Sequence, residues 1–225
     1  MIKTILSYLI IITFISCIDK NTSTKENISS NKIEIIKMHK LEKLFITGDF
    51  NGDKKLDTLF QHNFSELNKK EIDRAPDPYQ NDWEDVVDWF FKQESYVYLS
   101  TNKNNADKLY LTTAQGLYCL INIGDNNSDG KDEIALVTDL CDFSRINSCS
   151  IYTICENKWT KLKQFGIHEG SFDYKEGQRP IKYLEIKDYL EKHNGKWLYK
   201  DNDQIDYDTP EEVGKMKELK IDKCN

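Results

Sequence analysis

The sequence predicts a mainly β domain built from antiparallel sheets, with one or two short helices attached. Two observations predict this fold class. Short segments rich in β-branched and aromatic residues recur along the chain, separated by turn residues. Helical periodicity is rare, and only one stretch places its apolar residues clearly on a single helical face.

Eight segments have the composition of strands. They lie at residues 44–50, 57–63, 95–100, 108–113, 117–123, 133–139, 150–165 and 196–200. The longest contains Glu-Asn-Lys just before Trp159, which predicts a hairpin turn between two antiparallel strands. Asn-Gly-Lys before Trp197 predicts a second hairpin of the same kind.

One helix is predicted from an apolar stripe. The residues at helical spacing are Trp83, Val86, Val87 and Phe90. Asn81 offers an N-cap, and Glu84 three residues later completes a capping box. A second start signal occurs at Thr209, where Pro210 suits the first helical turn. This second helix would run towards Leu219.

The N-terminus carries a short apolar segment ahead of a cysteine. Lys3 precedes an apolar run at residues 5–15, a pattern typical of a secretory signal and too short for a spanning helix of about 20 residues. The four residues that end this segment, Phe14-Ile15-Ser16-Cys17, resemble the lipobox of a bacterial lipoprotein, although Phe14 and Ile15 depart from its usual Leu and small residue. The resemblance implies cleavage before Cys17, lipidation of its sulfur and anchoring in the cell envelope. An ordinary secretory signal and a retained single-pass anchor are the alternatives.

Three regions follow from composition. Residues 1–16 form the signal peptide, residues 17–32 hold the lipidated cysteine and a polar, flexible tether, and residues 33–225 form a single β-rich domain. The formal net charge is −7, and loss of Lys3 with the signal makes it more negative by one. No basic run interleaved with aromatic residues occurs, so nucleic-acid binding is not supported, whereas an acidic surface favours cations.

Five cysteines follow Cys17, and an exported protein can form disulfides. They are Cys119, Cys141, Cys149, Cys155 and Cys224. Cys141 and Cys149 bracket a short loop and are the predicted pair, while Cys119 and Cys155 lie in apolar strand-like runs that suit buried free thiols. One of the five stays unpaired within the chain, and the connectivity is otherwise open.

The strongest functional signal is a pair of loops with matching oxygen-bearing side chains. In the first loop, residues 49–57, positions 1, 3, 5 and 9 are Asp49, Asn51, Asp53 and Asp57. In the second loop, residues 125–133, the same positions are Asp125, Asn127, Asp129 and Glu133. A tightly turned loop can direct alternate side chains to one interior point, where they would enclose a cation.

Calcium suits this spacing. Ca²⁺ takes about 6–8 oxygen ligands, and a backbone carbonyl at position 7, from Lys55 or Lys131, would add to the side chains. Mg²⁺ is less suited because it demands near-ideal octahedral geometry and gives up water reluctantly. The loops are not EF-hands, since position 12 is Phe60 or Leu136 instead of Glu and a strand follows each loop.

The pattern resembles the calcium loop of FG-GAP and VCBS-type repeats, found in integrin-like β-propellers. The resemblance implies that the eight side chains named above and the two position-7 carbonyls are ligands of structural Ca²⁺ ions. It also implies blade-like antiparallel sheets, which a chain of this length would arrange as a partial β-propeller or a sandwich. The first loop departs at position 6, where Lys54 replaces Gly; a left-handed backbone there would cost roughly 1–2 kcal/mol. Solvated turns without any metal are the alternative for either loop.

No catalytic motif of the H-E-x-x-H, G-x-S-x-G or Walker type occurs. His168-Glu169 is the only pair that would suit acid–base or metal chemistry, and a plain loop histidine is the alternative. The sequence therefore favours a non-enzymatic, membrane-anchored envelope lipoprotein stabilised by Ca²⁺, which presents a surface to a protein or glycan partner. A secreted, calcium-stabilised hydrolase acting on polysaccharide or peptide is the alternative, and a pocket joining His168, Glu169 and an aromatic wall would favour it.

Overall fold

The computed structural model describes residues 36–101, 108–172, 183–201 and 215–224. The strands in these ranges are β1 (Met38–Lys40), β2 (Phe45–Gly48), β3 (Asp57–Ser65), β4 (Lys70–Glu71), β5 (Arg74–Pro76), β6 (Ser95–Ser100), β7 (Leu109–Tyr110), β8 (Ala114–Gly124), β9 (Glu133–Leu140), β10 (Ile146–Cys155), β11 (Lys158–His168), β12 (Leu190–His193), β13 (Lys196–Tyr199) and β14 (Lys217–Glu218). One α-helix, α1, spans Trp83–Lys92. The mainly β prediction is confirmed, and no sheet formed by the described residues closes into a barrel.

The predicted signal peptide, the lipidated Cys17 and the tether at residues 17–32 lie outside the described residues. Within the described ranges, no helix combines the length and the apolar character needed to cross a bilayer.

Two antiparallel sheets dominate the fold, the first with five strands and the second with four. The first sheet has the order β2-β3-β6-β7, with β4 paired to β3. Every second residue of β3 from Asp57 to Ser65 is buried, because only one face of this strand meets the core. The second sheet runs β8-β9-β10-β11 in chain order, so each strand pairs with its neighbour in sequence.

The predicted hairpin turns are confirmed. β10 and β11 are joined by Glu156 and Asn157, whose φ angles are 47° and 62°. β12 and β13 are joined by Asn194 and Gly195, with φ angles of 49° and 81°. Positive φ at both central residues is the mark of the type I′ turn, whose twist matches that of paired strands.

The second sheet lies between two apolar layers. One of its faces joins the first sheet in a shared cluster that includes Phe50, Leu59, Leu99, Leu120 and Leu136. Its other face packs on a third sheet, β12-β13-β14, in a cluster that includes Cys119, Val137, Phe165, Leu190 and Trp197. Burial on both faces explains why β9 reads as the continuous apolar run Ile-Ala-Leu-Val instead of alternating.

Helix α1 packs its predicted stripe against the two-stranded sheet β1-β5, where Val86 and Phe90 meet Ala75. The predicted N-cap is wrong by one residue. Asp82 occupies the cap with an extended backbone and no side-chain capping hydrogen bond. Asn81 is unavailable because its amide exchanges two hydrogen bonds of 2.9 Å with the backbone of Lys37.

The predicted C-terminal helix is wrong where it can be checked. Residues 209–214 lie outside the described residues, but Lys217–Glu218 form strand β14, paired with β13. The Leu219 amide donates to the Trp197 carbonyl at 2.8 Å, and the Leu219 side chain is buried in the core. Pairing with the exposed edge of β13 therefore prevails over the local helix start signal.

The predicted Cys141–Cys149 disulfide is also wrong. Both are buried free thiols, as is Cys119, and the disulfide joins Cys155 to Cys224 with 5.7 Å between Cα atoms. Cys149 pairs in register with Val137, which precedes Cys141 by four residues, so the two cysteines are separated by roughly 13 Å along the sheet. That separation exceeds the roughly 7 Å that a disulfide can span.

We expect the Cys155–Cys224 disulfide to contribute about 2–4 kcal/mol to the free energy of unfolding, because it closes a long loop of the unfolded chain. Urea unfolding followed by tryptophan fluorescence, with and without dithiothreitol, measures this contribution. The Cys155→Ser/Cys224→Ser variant should unfold like the reduced wild type and be insensitive to the reductant. Equal unfolding midpoints for the oxidised and the fully reduced wild type would contradict the assignment.

Candidate metal centre

The two acidic loops occupy equivalent places in the fold. The first connects β2 to β3, and the second connects β8 to β9, so each joins the first two strands, in chain order, of one of the two large sheets. The resemblance between the loops, predicted from sequence spacing alone, therefore extends to the sheets that carry them.

Three equivalent backbone hydrogen bonds give the loops the same path. The amide at position 6 donates to the carboxylate at position 1, at 2.8 Å in the first loop and 3.0 Å in the second. The amide at position 5 donates to the asparagine side chain at position 3, at 2.8 and 2.9 Å. The amide at position 7 donates to the aspartate at position 5, at 2.9 and 3.0 Å. The acidic and amide side chains are thus turned towards the inside of each loop.

Both loops adopt a left-handed backbone at positions 4 and 6. The residues at position 4 are Gly52 (φ 79°) and Ser128 (φ 59°), and those at position 6 are Lys54 (φ 63°) and Gly130 (φ 88°). Each loop thus places glycine at one of the two positions and a residue with a side chain at the other. Lys54 therefore adopts the left-handed backbone expected at position 6, where the family pattern has glycine, and this conformation is strained for a residue with a side chain.

The second loop brings three carboxylates together. One oxygen each from Asp125, Asp129 and Glu133 lies within 4.8 Å of the others. At an effective dielectric of about 20, two unit charges at this separation repel by on the order of 3 kcal/mol. Asn127 is buried beside them, and its side chain adds an amide oxygen to the loop. The arrangement therefore supplies hard oxygen donors in a strongly negative site.

Glu133 is the most constrained member of the cluster, since its residue is 0 % exposed. Its Oε2 accepts a 2.7 Å hydrogen bond from the Asn126 amide, whereas its Oε1 has no hydrogen-bond partner among the described residues. The nearby Thr153 hydroxyl slightly lowers the pKa of Glu133, although the two groups are not in hydrogen-bond geometry. Burial, reinforced by Asp129 and Asp125, raises the pKa of Glu133 to about 7. A cation in the loop would oppose this shift, because a nearby positive charge favours the ionised carboxylate.

Two lysines near the second loop donate to backbone carbonyls. Lys131 Nζ donates to the Ile154 carbonyl at 2.6 Å, and Lys223 Nζ donates to the Ser128 carbonyl at 2.8 Å. Both ammonium groups are therefore engaged by backbone oxygens. The direction of the Lys131 side chain agrees with a role in which only its backbone carbonyl would be a ligand.

The first loop is less closed. Asp57 is buried, and its Oδ2 accepts a 3.1 Å hydrogen bond from the side-chain Nδ2 of Asn51, while Asn51 and Asp53 are exposed. Among the residues that the structure describes, the second loop alone gathers three carboxylates within 4.8 Å. Position 9 accounts for part of the difference, because Glu133 is one methylene longer than Asp57.

Asp132, which sequence spacing did not single out, joins the two loops. Its Oδ2 accepts hydrogen bonds from the Asp49 amide at 3.0 Å and from the Asn122 side chain at 2.9 Å. Its own amide donates to the Asp49 carbonyl at 2.8 Å. A Cβ on Gly48 would lie 2.5 Å from Asn122 Nδ2 and 2.7 Å from Asp132 Oδ2, so a side chain at this position would displace these two groups. The hydrogen bonds between Asp132 and Asp49 thus connect the first and second sheets where the two acidic loops meet.

The C-terminal segment, residues 215–224, lies against the second loop. Besides the bond from Lys223, the Asn127 side chain lies 3.4 Å from the Asp222 carbonyl, and Cys224 is bonded to the end of β10 through Cys155. The disulfide that sequence analysis did not predict therefore fastens this segment over the candidate metal site.

The predicted acid–base pair His168-Glu169 is not assembled into one site. His168 Nδ1 accepts a 3.0 Å hydrogen bond from the Gly170 amide, which fits the interpretation of a plain loop histidine. Glu169 lines a cavity together with aromatic residues and lies 3.7 Å from Arg145. The two side chains therefore have separate surroundings.

A different polar relay, missed by sequence analysis, lies on the outer face of the first sheet. Ser100 Oγ lies 3.0 Å from His62 Nε2, and His62 Nδ1 lies 3.0 Å from Glu71 Oε1. Lys43 pairs with the other Glu71 oxygen at 2.9 Å. The residues come from three strands, β6, β3 and β4, so no local sequence motif could reveal them.

The chain matches no family model, no curated protein and no solved structure. The resemblance to FG-GAP and VCBS-type repeats therefore depends on the two loops and their placement.

The raised pKa of Glu133 predicts a pH dependence of stability in metal-free protein. Between about pH 4.5 and 7 the folded state holds a proton that the unfolded state has released, so the stability from this group falls as pH rises. The slope should approach at most about 1.4 kcal/mol per pH unit. Urea unfolding in EDTA across this range, compared with Glu133→Gln as the non-titrating control, measures it. Parallel curves for the two proteins would contradict the prediction.

Proposed function

We propose that the protein is a lipid-anchored envelope protein whose β domain is stabilised by a structural Ca²⁺ ion in the second loop and presents a surface to an extracytoplasmic partner. The observation that carries the proposal is the cluster of Asp125, Asp129 and the fully buried Glu133. A cation would offset the mutual repulsion of these three carboxylates, and the Lys131 and Lys223 ammonium groups donate to backbone carbonyls.

Calcium is the ion that this donor set favours. Every side chain offered is a carboxylate or amide oxygen, and a loop closed by hydrogen bonds from its own backbone can adjust to 6–8 ligands at about 2.3–2.6 Å. Sulfur and imidazole, which would favour zinc or copper, do not belong to the cluster. The first loop, with its exposed Asp53, would bind Ca²⁺ more weakly.

A cation here would act on the fold and not on a substrate. The second loop contacts the first loop through Asp132, and it contacts the C-terminal segment through Asn127 and Ser128. A cation that orders the second loop would therefore stabilise the contact between the two large sheets and the attachment of the C-terminal segment, which contains β14 of the third sheet. The lipid anchor at Cys17 is the part of the proposal supported by the N-terminal sequence alone.

Calcium should raise the melting temperature of the mature chain, residues 17–225 with Cys17→Ser, after removal of metal with EDTA. At a free concentration of about 100 times Kd the stabilisation would be roughly 2.7 kcal/mol. Thermal unfolding with Ca²⁺, Mg²⁺ or EDTA measures the shift, and Mg²⁺ should give less.

The matched pair of double variants assigns the site. Asp125→Ala/Asp129→Ala should abolish most of the calcium response, whereas Asp49→Ala/Asp53→Ala in the first loop should retain most of it. A wild-type melting temperature that is unchanged by millimolar Ca²⁺ would refute the proposal.

A hydrolase is the second candidate, favoured by the Ser100–His62–Glu71 relay. The distances are those of a nucleophile, its general base and the carboxylate that orients it, which would direct the chemistry to acyl substrates such as peptides or esters, not to glycosidic bonds. Ser100 is only 4 % exposed, however, and His62 is stacked on Tyr98 at 4.5 Å, so access to Oγ is narrow. The relay also stabilises the outer face of the sheet without any catalysis.

A fluorophosphonate probe distinguishes the two functions of the relay. If Ser100 is a nucleophile, mass spectrometry should locate the label on it, and His62→Ala should abolish labelling while exposed Ser144→Ala should not. Absence of label on folded wild-type protein would leave the relay a structural network and remove the support for a hydrolase.

A further inference from the structure

A cavity of about 340 Å³ lies at the end of the second sheet opposite the candidate metal centre. The metal loop precedes β9, whereas the cavity is lined by the last residues of β9 and by the β9–β10 connection. Glu133 and Asp139 are therefore separated by about 20 Å along the strand. Helix α1 and the short 3₁₀ helix Glu169–Phe172 complete the walls.

The floor of the cavity is polar and deeply buried. Gln115, Asp139 and Asn147 all line it and are 8 %, 2 % and 3 % exposed. Gln115 donates to Asp139 at 3.2 Å, which orders the two side chains. Asn147 Nδ2 has no hydrogen-bond partner among the described residues. A buried amide without a partner is costly unless a ligand or water completes it.

The walls are aromatic and fixed in place. Tyr118 stacks on Phe172 with ring centroids 4.7 Å apart, and the Trp83 indole N–H donates to the Asp142 carbonyl at 3.1 Å. Tyr79 and Phe143, which also line the cavity, are 76 % and 74 % exposed, so their rings are open to a ligand from solvent. The cavity thus combines flat apolar faces with a small set of converging polar groups, as ligand sites do.

The chemistry of the lining excludes several ligand classes. A wholly apolar ligand would leave the buried Asn147 amide N–H without a hydrogen-bond partner. An anion would face Asp139, Asp142 and Glu169, with Arg145 as the cationic side chain of the lining. A simple cation would have no acceptor for the Asn147 N–H. A sugar offers hydroxyls that both donate to Asp139 and accept from Asn147, and its C–H faces pack on aromatic rings.

We infer that this cavity binds a neutral sugar, one or two rings at the end of a glycan. Its volume lies at the lower end of the roughly 300–1,000 Å³ typical of small-molecule sites, which fits a ligand of that size. The inference specifies the partner of the proposed envelope protein, on which it rests, but it does not depend on the calcium site.

The test uses the disulfide-bonded mature chain in Ca²⁺ and an array of immobilised neutral oligosaccharides of glucose, galactose, mannose and N-acetylglucosamine. Sialylated glycans and a lysine-rich peptide serve as anionic and cationic probes. Titration of the best-binding oligosaccharide then gives the affinity of each variant. We expect Tyr79→Ala/Phe143→Ala to weaken binding about tenfold or more, since two stacking faces are lost from exposed positions.

Phe45→Ala is the matched control, because Phe45 is an exposed phenylalanine of the first sheet that does not line the cavity, and it should leave affinity unchanged. Asn147→Leu, which removes the floor amide while preserving bulk, should also abolish binding in protein whose circular dichroism is unchanged. Preferential binding of the charged probes, equal affinity in the Tyr79/Phe143 variant, or no binding of any neutral probe would overturn the inference. If sugar binding fails but Ca²⁺ still raises the melting temperature, the sugar inference is wrong and the calcium proposal stands. If sugar binds but Ca²⁺ does not change the melting temperature, the calcium proposal is wrong and the sugar inference stands.

Discussion

Burial of the Glu133 carboxylate is the constraint on which the central part of this fold depends. The residue begins β9, the second strand of a sheet covered on both faces, so its side chain cannot turn to solvent without displacing the strand. One of its oxygens is satisfied by the Asn126 amide, and the other has no partner among the described residues. A buried acid with this incomplete set of contacts must either hold a proton or face a cation. Asp125 and Asp129 would share that cation with Glu133 in the proposed calcium site.

The consequences of that choice extend beyond one loop because three separate parts of the chain meet there. Asp132 connects the second loop to the first through two hydrogen bonds with the backbone of Asp49. The C-terminal segment crosses the same loop and is fixed by the Cys155–Cys224 disulfide. Order in the second loop therefore supports the contact between the large sheets and the attachment of the chain terminus at once. The second loop affects these distant parts of the chain because it lies where the first loop and the C-terminal segment meet.

Most of the strand pattern, the fold class and the equivalence of the two loops could be predicted from the sequence, because they depend on local periodicity and spacing. The hairpin at Asn194-Gly195 and the apolar stripe of α1 are examples. The failures all involve contacts between distant segments. Asn81 is diverted from its capping role by Lys37, the C-terminal segment pairs with β13, and the register of β10 on β9 separates Cys141 from Cys149. The role of Asp132 and the Ser100–His62–Glu71 relay likewise exist only after strands from different parts of the chain are placed side by side.

The separation of the candidate metal centre and the aromatic cavity at opposite ends of β9 has a physical rationale. A loop that encloses a highly charged ion must be rigid and close to other loops, whereas a sugar site needs exposed rings that can accept a ligand from solvent. The continuous apolar core between them keeps the two environments apart, because β9 is packed on both faces and its position is fixed. Calcium at one end would therefore contribute to ligand binding at the other by keeping the sheet folded, without altering the chemistry of the cavity. The same separation explains how one small domain can hold two polar sites without exposing its core to water between them.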